Sequence, residues 1–128
     1  MSAVKWVSKG IALAIHDEQI SEHGGSTGVR DINLLESAIA RPQNIEAYKE
    51  KPTIEQLAAS YSVGIAKNHP FVDGNKRTTF VVMELFLLLN GYELIANDED
   101  CVLTMLKIAS SDMSEEELVK WIGDNIQN

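Results

Sequence analysis

A single cysteine, Cys101, in 128 residues excludes an intrachain disulfide and gives no sign of an oxidising compartment. Cations are scarce. Eleven Lys and Arg stand against nineteen Asp and Glu, giving a formal charge of −8 and a pI near 4.8. That balance argues against direct nucleic-acid binding and suits a protein that pairs with a basic partner. Long apolar runs are missing. The longest, Phe80 to Leu89, is broken by Glu84 and falls well short of the roughly 20 residues a membrane span needs. The first twenty residues hold no apolar core followed by a small-residue cleavage site, so no signal peptide and a cytoplasmic protein are expected. No internal repeat or low-complexity segment occurs. No run alternates apolar and polar residues over a strand length, which leaves an all-α fold. With 45% hydrophobic residues, the chain suffices for one domain, 1–128, with a real core.

Helical spacing predicts about six helices. A first helix spans residues 4–22, with Val4, Val7, Ile11, Ala14 and Ile15 on its apolar face, or stops near His16. His16 and His23 read as structural or exposed. Three glycines in Gly24–Gly28 mark a loop, either a plain connector or a flap that shapes a nearby site and docks a peptide. A second helix, Asp31 to Arg41, carries Leu34, Leu35, Ala38 and Ile39 and ends at Pro42. Thr53-Ile54-Glu55-Gln56 is a capping box that opens a third helix, about 53–67. The fourth, about 74–90, is apolar nearly all round and is expected to be the buried centre of the bundle, with Gly91 after its end. Tyr92 to Ala96 is extended at most. Asn97 caps a fifth helix with Val102, Leu103, Leu106 and Ala109 as core candidates. Ser114-Glu115-Glu116-Glu117 caps a last one.

The chemistry gathers at His69-Pro70-Phe71-Val72-Asp73-Gly74-Asn75-Lys76-Arg77, where a loop enters the central helix. The first N–H groups of a helix lack helical partners and form an anion site with the positive dipole end. Lys76 and Arg77 stand in that first turn, where each cation is disfavoured by roughly 0.3–1 kcal/mol. An anion between them removes the conflict, and a polyphosphate fits best because it accepts from several donors at once. Gly74 permits close approach to the backbone, and Asn75 offers an amide to a phosphate oxygen. Asp73 is either the helix cap or a ligand for Mg²⁺, which takes one or two carboxylates plus substrate phosphates. His69 is placed to act as a general base, the usual work of a histidine at neutral pH. A base, a metal carboxylate and a phosphate nest together point to transfer of a phosphorus group to a hydroxyl.

These nine residues resemble the signature of the Fic/Doc family, His-x-Phe-x-Asp/Glu-Gly-Asn-Gly-Arg-x-x-Arg, and in particular its Doc branch, because Lys76 replaces the second glycine. The stretch Gly24 to Pro42, GGSTGVRDINLLESAIARP, is also similar to Doc-branch proteins. The resemblance implies an all-α Fic/Doc-like bundle. It implies His69 as general base, with Lys76 and Arg77 also in catalysis, Asp73 on Mg²⁺, and Lys67, Gly74, Asn75, Lys76 and Arg77 on the phosphates of ATP. It implies a toxin kinase that moves the γ-phosphate to a Thr or Ser hydroxyl of a protein, expected to be elongation factor Tu, and so blocks translation. Fic-type AMP transfer is the alternative, opposed by Lys76 and by Phe80 in place of the last arginine. A silent antitoxin-binding or co-regulator module is the non-enzymatic alternative. The nearest match to a built-in inhibitory helix, Ser111 to Glu116, fails at its last position. The expected inhibitor is therefore a separate Phd-like antitoxin, laid as a helix into a groove.

Overall fold

The computed structural model describes residues 3–128 and comprises six α-helices and one short β-ribbon. The helices are α1 (Lys9–His23), α2 (Ile32–Tyr48), α3 (Ile54–Asn68), α4 (Asn75–Leu89), α5 (Asp98–Ala109) and α6 (Glu115–Asp124). The ribbon pairs β1 (Glu93–Leu94) antiparallel with β2 (Ile126–Gln127), setting Glu93 opposite Gln127 and Leu94 opposite Ile126. Among the described residues no helix is long and apolar enough to cross a membrane.

α1 starts later than its apolar spacing suggests. Ser8 is the N-cap and accepts the Ile11 N–H at 3.2 Å, so Val4 and Val7 precede the helix. Val7 is fully buried all the same. The Tyr61 hydroxyl accepts the Val7 N–H at 3.0 Å and donates to its carbonyl at 3.2 Å. Asn90 likewise bonds the N–H and carbonyl of Lys5. The late start turns a different face inward: Ala12, His16, Gln19 and Ile20 are buried, while Ile11 is 39% exposed. The helix then runs through His16 to His23, where Gly24 follows at φ 79°.

α2 also departs from expectation, because Pro42 lies inside it rather than ending it. Proline lacks the N–H that would bond the carbonyl four residues back, a real local cost. Burial offsets it. Leu35, Ala38, Ile39 and Pro42 form one buried stripe that Ile45 continues. Arg41 adds an anchor, donating to Glu115 at 2.9 and 2.7 Å and to Ser60.

The centre of the bundle is shared between two helices. α4 was expected to be buried all round, yet Lys76, Arg77, Leu88 and Leu89 on it are exposed. α3 buries nine of its fifteen residues and packs against α2, α4, α5 and α6. Gly64 brings α2 close: a methyl group there would lie 3.2 Å from the Ala38 backbone. α5 presents the face opposite to the expected one. Cys101, Thr104, Met105 and Ile108 are buried, whereas Val102, Leu103 and Leu106 are 61, 51 and 44% exposed. Both sets have helical spacing, so periodicity alone does not choose between them.

Candidate active site

The joint between α3 and α4 carries every residue singled out between Lys67 and Arg77. α3 ends at Asn68, and His69 turns the chain in the left-handed conformation, φ 50° and ψ 55°. A non-glycine residue there is under strain and needs its surroundings to hold it. Arg30, from the loop between α1 and α2, supplies that hold. Its Nε donates to the His69 carbonyl at 2.7 Å and its Nη2 to the Asn68 carbonyl at 2.8 Å. A guanidinium at a helix C-terminus also meets the negative dipole end. The same loop continues as a short pairing. The Arg30 and Asp31 N–H groups donate to the Pro70 carbonyl, Val72 N–H donates to Gly28, and Val29 bridges Phe71. The His69 side chain is left exposed to solvent.

Phe71 is fully buried and fixes the turn from inside. Asn75 closes that turn. Its Oδ1 accepts the Phe71 N–H at 3.0 Å and its Nδ2 donates to the Phe71 carbonyl at 2.9 Å. The amide expected on a phosphate is therefore internal, and at 5% exposure Asn75 can offer a ligand only its backbone N–H. Gly74 is the N-cap of α4 at φ 76° and has no side-chain cap hydrogen bond. Ser8, Asp31, Thr53, Asn97 and Ser114 cap the other five helices. The first-turn N–H groups of α4 thus have no capping side chain and are left for another acceptor. Lys76 and Arg77 are exposed beside them and, among the described residues, have no ion-pair partner.

Asp73 is not the cap. Its Oδ2 accepts the Ser26 N–H at 3.2 Å and its Oδ1 accepts the Gly74 N–H at 2.9 Å. Those bonds, the one from Ser26 foremost and helped by the charge of Arg77, hold its carboxyl below the usual carboxylate range. Gly25 allows the approach: a methyl group there would lie 2.7 Å from Asp73 Oδ2, and its φ of 118° is closed to L side chains. The glycine loop therefore lies against the motif. Among the described residues no three His, Cys, Asp or Glu side chains cluster as a metal cage. A phosphate-bound Mg²⁺ needs no such cage, because water and phosphate oxygens complete its shell around one or two carboxylates. Asp73, ionised and with lone pairs left open, fits that role.

Lys67 sits in the last turn of α3 and donates to Ser111 Oγ, which ties it to the loop between α5 and α6. A cavity of about 450 Å³ is lined by Lys76, Arg77, Phe80, Met105 and Leu106 among others. Arg30, Ser26 and His16 were not selected from the sequence as site residues, though all three touch the motif. Arg30 and Ser26 lie in the stretch whose Doc-branch similarity was visible. His16 reads from the sequence as structural or exposed, and the structure buries it.

A profile of the Fic/DOC family matches residues 6–87. The chain is 35% identical over 102 residues to a protein of Escherichia phage P1 named protein kinase doc, covering 80% of this chain and 81% of that one. It is 42% identical over 78 residues to a Mycolicibacterium smegmatis protein named toxin Doc, covering 58% of each.

Proposed function

The chain belongs to the Fic/DOC family, and from that we propose that it is a Doc-like toxin kinase that phosphorylates a hydroxyl of a protein target. One observation carries the choice of site: the uncapped N-terminus of α4, flanked by Lys76 and Arg77 and adjoining His69. ATP binds with its phosphates on the Asn75 and Lys76 N–H groups and the two cations. Lys67 adds a third cation from α3. Asp73 would hold Mg²⁺, which would neutralise phosphate charge when bound. His69 accepts the proton of the target hydroxyl. The hydroxyl oxygen then bonds to the γ-phosphorus as the bond from that phosphorus to the β–γ bridging oxygen breaks, and ADP leaves.

Lys76 favours phosphate transfer over AMP transfer, because its side chain fills space and adds charge where a glycine would leave a phosphate pocket. Gly74 has a conformational explanation that does not bear on that choice: its φ is 76°, and a methyl group there would lie 3.0 Å from Ile20 Cδ1.

As a toxin the chain has an antitoxin partner. We take that partner to be Phd-like and to lay an amphipathic helix on the exposed Val102, Leu103 and Leu106 face of α5, which borders the cavity beside Lys76 and Arg77. A helix there covers the phosphate cations. The target is proposed to be elongation factor Tu. A cell-free translation reaction tests the reading. The wild-type chain stops protein synthesis and the His69→Ala variant does not. Undiminished synthesis with the wild type overturns the proposal.

A further inference from the structure

His16 is the one buried histidine-type group at the motif to which the reaction gives no part. It is 2% exposed and projects from the middle of α1. Its ring lies flat on Phe71, with centroids 3.9 Å apart and planes 5° from parallel. Its Nε2 is 2.8 Å from the Asp73 carbonyl oxygen. A carbonyl oxygen only accepts, so Nε2 carries the proton and donates. Its Nδ1 lies 4.0 Å from the exposed Asp17 carboxylate, too far for a hydrogen bond.

The bond matters because of the peptide it holds. The Asp73 carbonyl and the Gly74 N–H belong to one rigid plane. His16 fixes the oxygen edge of that plane. The opposite edge, the Gly74 N–H, donates to Asp73 Oδ1 at 2.9 Å. Turning the plane therefore moves the carboxylate and the first N–H groups of α4 together. Phe71 fixes the ring and Ile20, one turn along α1, packs against Gly74, so neither partner is free to drift.

We propose that His16 is a positioning residue of the nucleotide site: by donating Nε2–H to the Asp73 carbonyl it sets the Asp73–Gly74 peptide plane, and with it the metal carboxylate and the phosphate-binding N–H groups. The inference rests on the nucleotide-binding role given to this site under the proposed function. A histidine that merely fills the core leaves nucleotide affinity untouched in whatever protein remains folded.

The test is calorimetric titration of the purified full chain with ATP and Mg²⁺, for the wild type and three variants. His16→Phe keeps a flat ring against Phe71 and loses the donor. Its Kd for ATP with Mg²⁺ rises roughly tenfold, the effect of one misdirected hydrogen-bonded turn. Gln places its amide nitrogen near the position of Nε2, so His16→Gln returns the Kd to within about threefold of wild type. Asn places it near Nδ1, so His16→Asn does not. Loss of folded protein lowers the stoichiometry and leaves Kd alone, which separates positioning from stability. Equal Kd in the wild type and His16→Phe overturns the inference, and so does equal Kd in the Gln and Asn variants should the Phe variant fail to fold. A wild type that does not bind ATP with Mg²⁺ overturns the proposed function and this inference together, whereas a wild type that binds while His16→Phe binds equally removes this inference alone.

Discussion

Replacing Tyr61 with phenylalanine removes one oxygen atom and two hydrogen bonds. The Tyr61 hydroxyl donates to the Val7 carbonyl and accepts the Val7 N–H, and both residues are 0% exposed. No water reaches the vacated groups. Each buried backbone group left unpaired costs about 1–3 kcal/mol, partly offset because phenylalanine has no hydroxyl to desolvate. The expected loss is about 2 kcal/mol, which lowers Tm by roughly 8 °C in a chain of this length. The same burial pushes the Tyr61 phenol up to about 12 from its ordinary 10.0, although the bond to the Val7 backbone pulls the other way. A folded pKa above the unfolded one means that the contribution is complete below pH 10 and is lost as pH rises towards 12. Circular-dichroism melts at a series of pH values measure both effects. The wild type is more stable at neutral pH, and its margin over Tyr61→Phe narrows above pH 10. A Tm drop smaller than about 2 °C, or a margin that stays constant through the alkaline range, refutes this account of how the segment before α1 is anchored.

Arg30→Met leaves the Asn68 and His69 carbonyls without their donor, so the turn that carries His69, the proposed base, loses its support. Turnover in a kinase assay falls roughly 10- to 100-fold while calorimetry shows unchanged ATP affinity; an affinity loss with normal turnover contradicts the assignment. Asn75→Ala strips both Phe71 backbone bonds and costs about 2 kcal/mol in denaturant unfolding, while Asn75→Asp keeps the acceptor but sets a buried carboxylate oxygen against the Phe71 carbonyl and costs at least as much. Glu84 is half-buried, and burial first, then Asp98, raises its carboxyl pKa. The raised value means that wild-type stability grows as pH falls through the folded pKa towards the ordinary 4.5. Glu84→Gln therefore melts higher than wild type at pH 7 and loses that lead in acid, as thermal scans at both pH values will show.

The helices whose ends are written in side chains were the legible ones. Thr53 with Gln56 and Ser114 with Glu117 form complete capping boxes, and Asn97 caps α5 as its spacing suggests. Where tertiary contact decides, local rules misled. Pro42 reads as a stop, yet the stripe from Leu35 to Pro42 is buried and α2 runs on to Tyr48. Val4 and Val7 have helical spacing, but Tyr61 and Asn90 hold their segment ahead of the helix. α5 carries two apolar stripes, and only the position of α3 and α4 selects Cys101, Met105 and Ile108 for the core.

The site divides in the same way. His69, Asp73, Gly74, Lys76 and Arg77 stand out as candidates because they lie within nine residues, and the clash of Lys76 and Arg77 with the dipole of α4 is a local signal. The Asn75 side chain looked like a ligand, since nothing local shows that Phe71 takes both its amide groups. Arg30 and His16 act across 39 and 57 residues of sequence, distances that helical periodicity does not address.

The most direct measurement is label transfer. The chain is incubated with Mg²⁺ and purified elongation factor Tu, in parallel with ATP labelled at the γ- or the α-phosphate. A phosphate site seated on Lys76 and Arg77, with His69 as base, predicts label on the target from the γ position only, absent with His69→Ala. Label from the α position contradicts it, because that phosphorus travels with AMP.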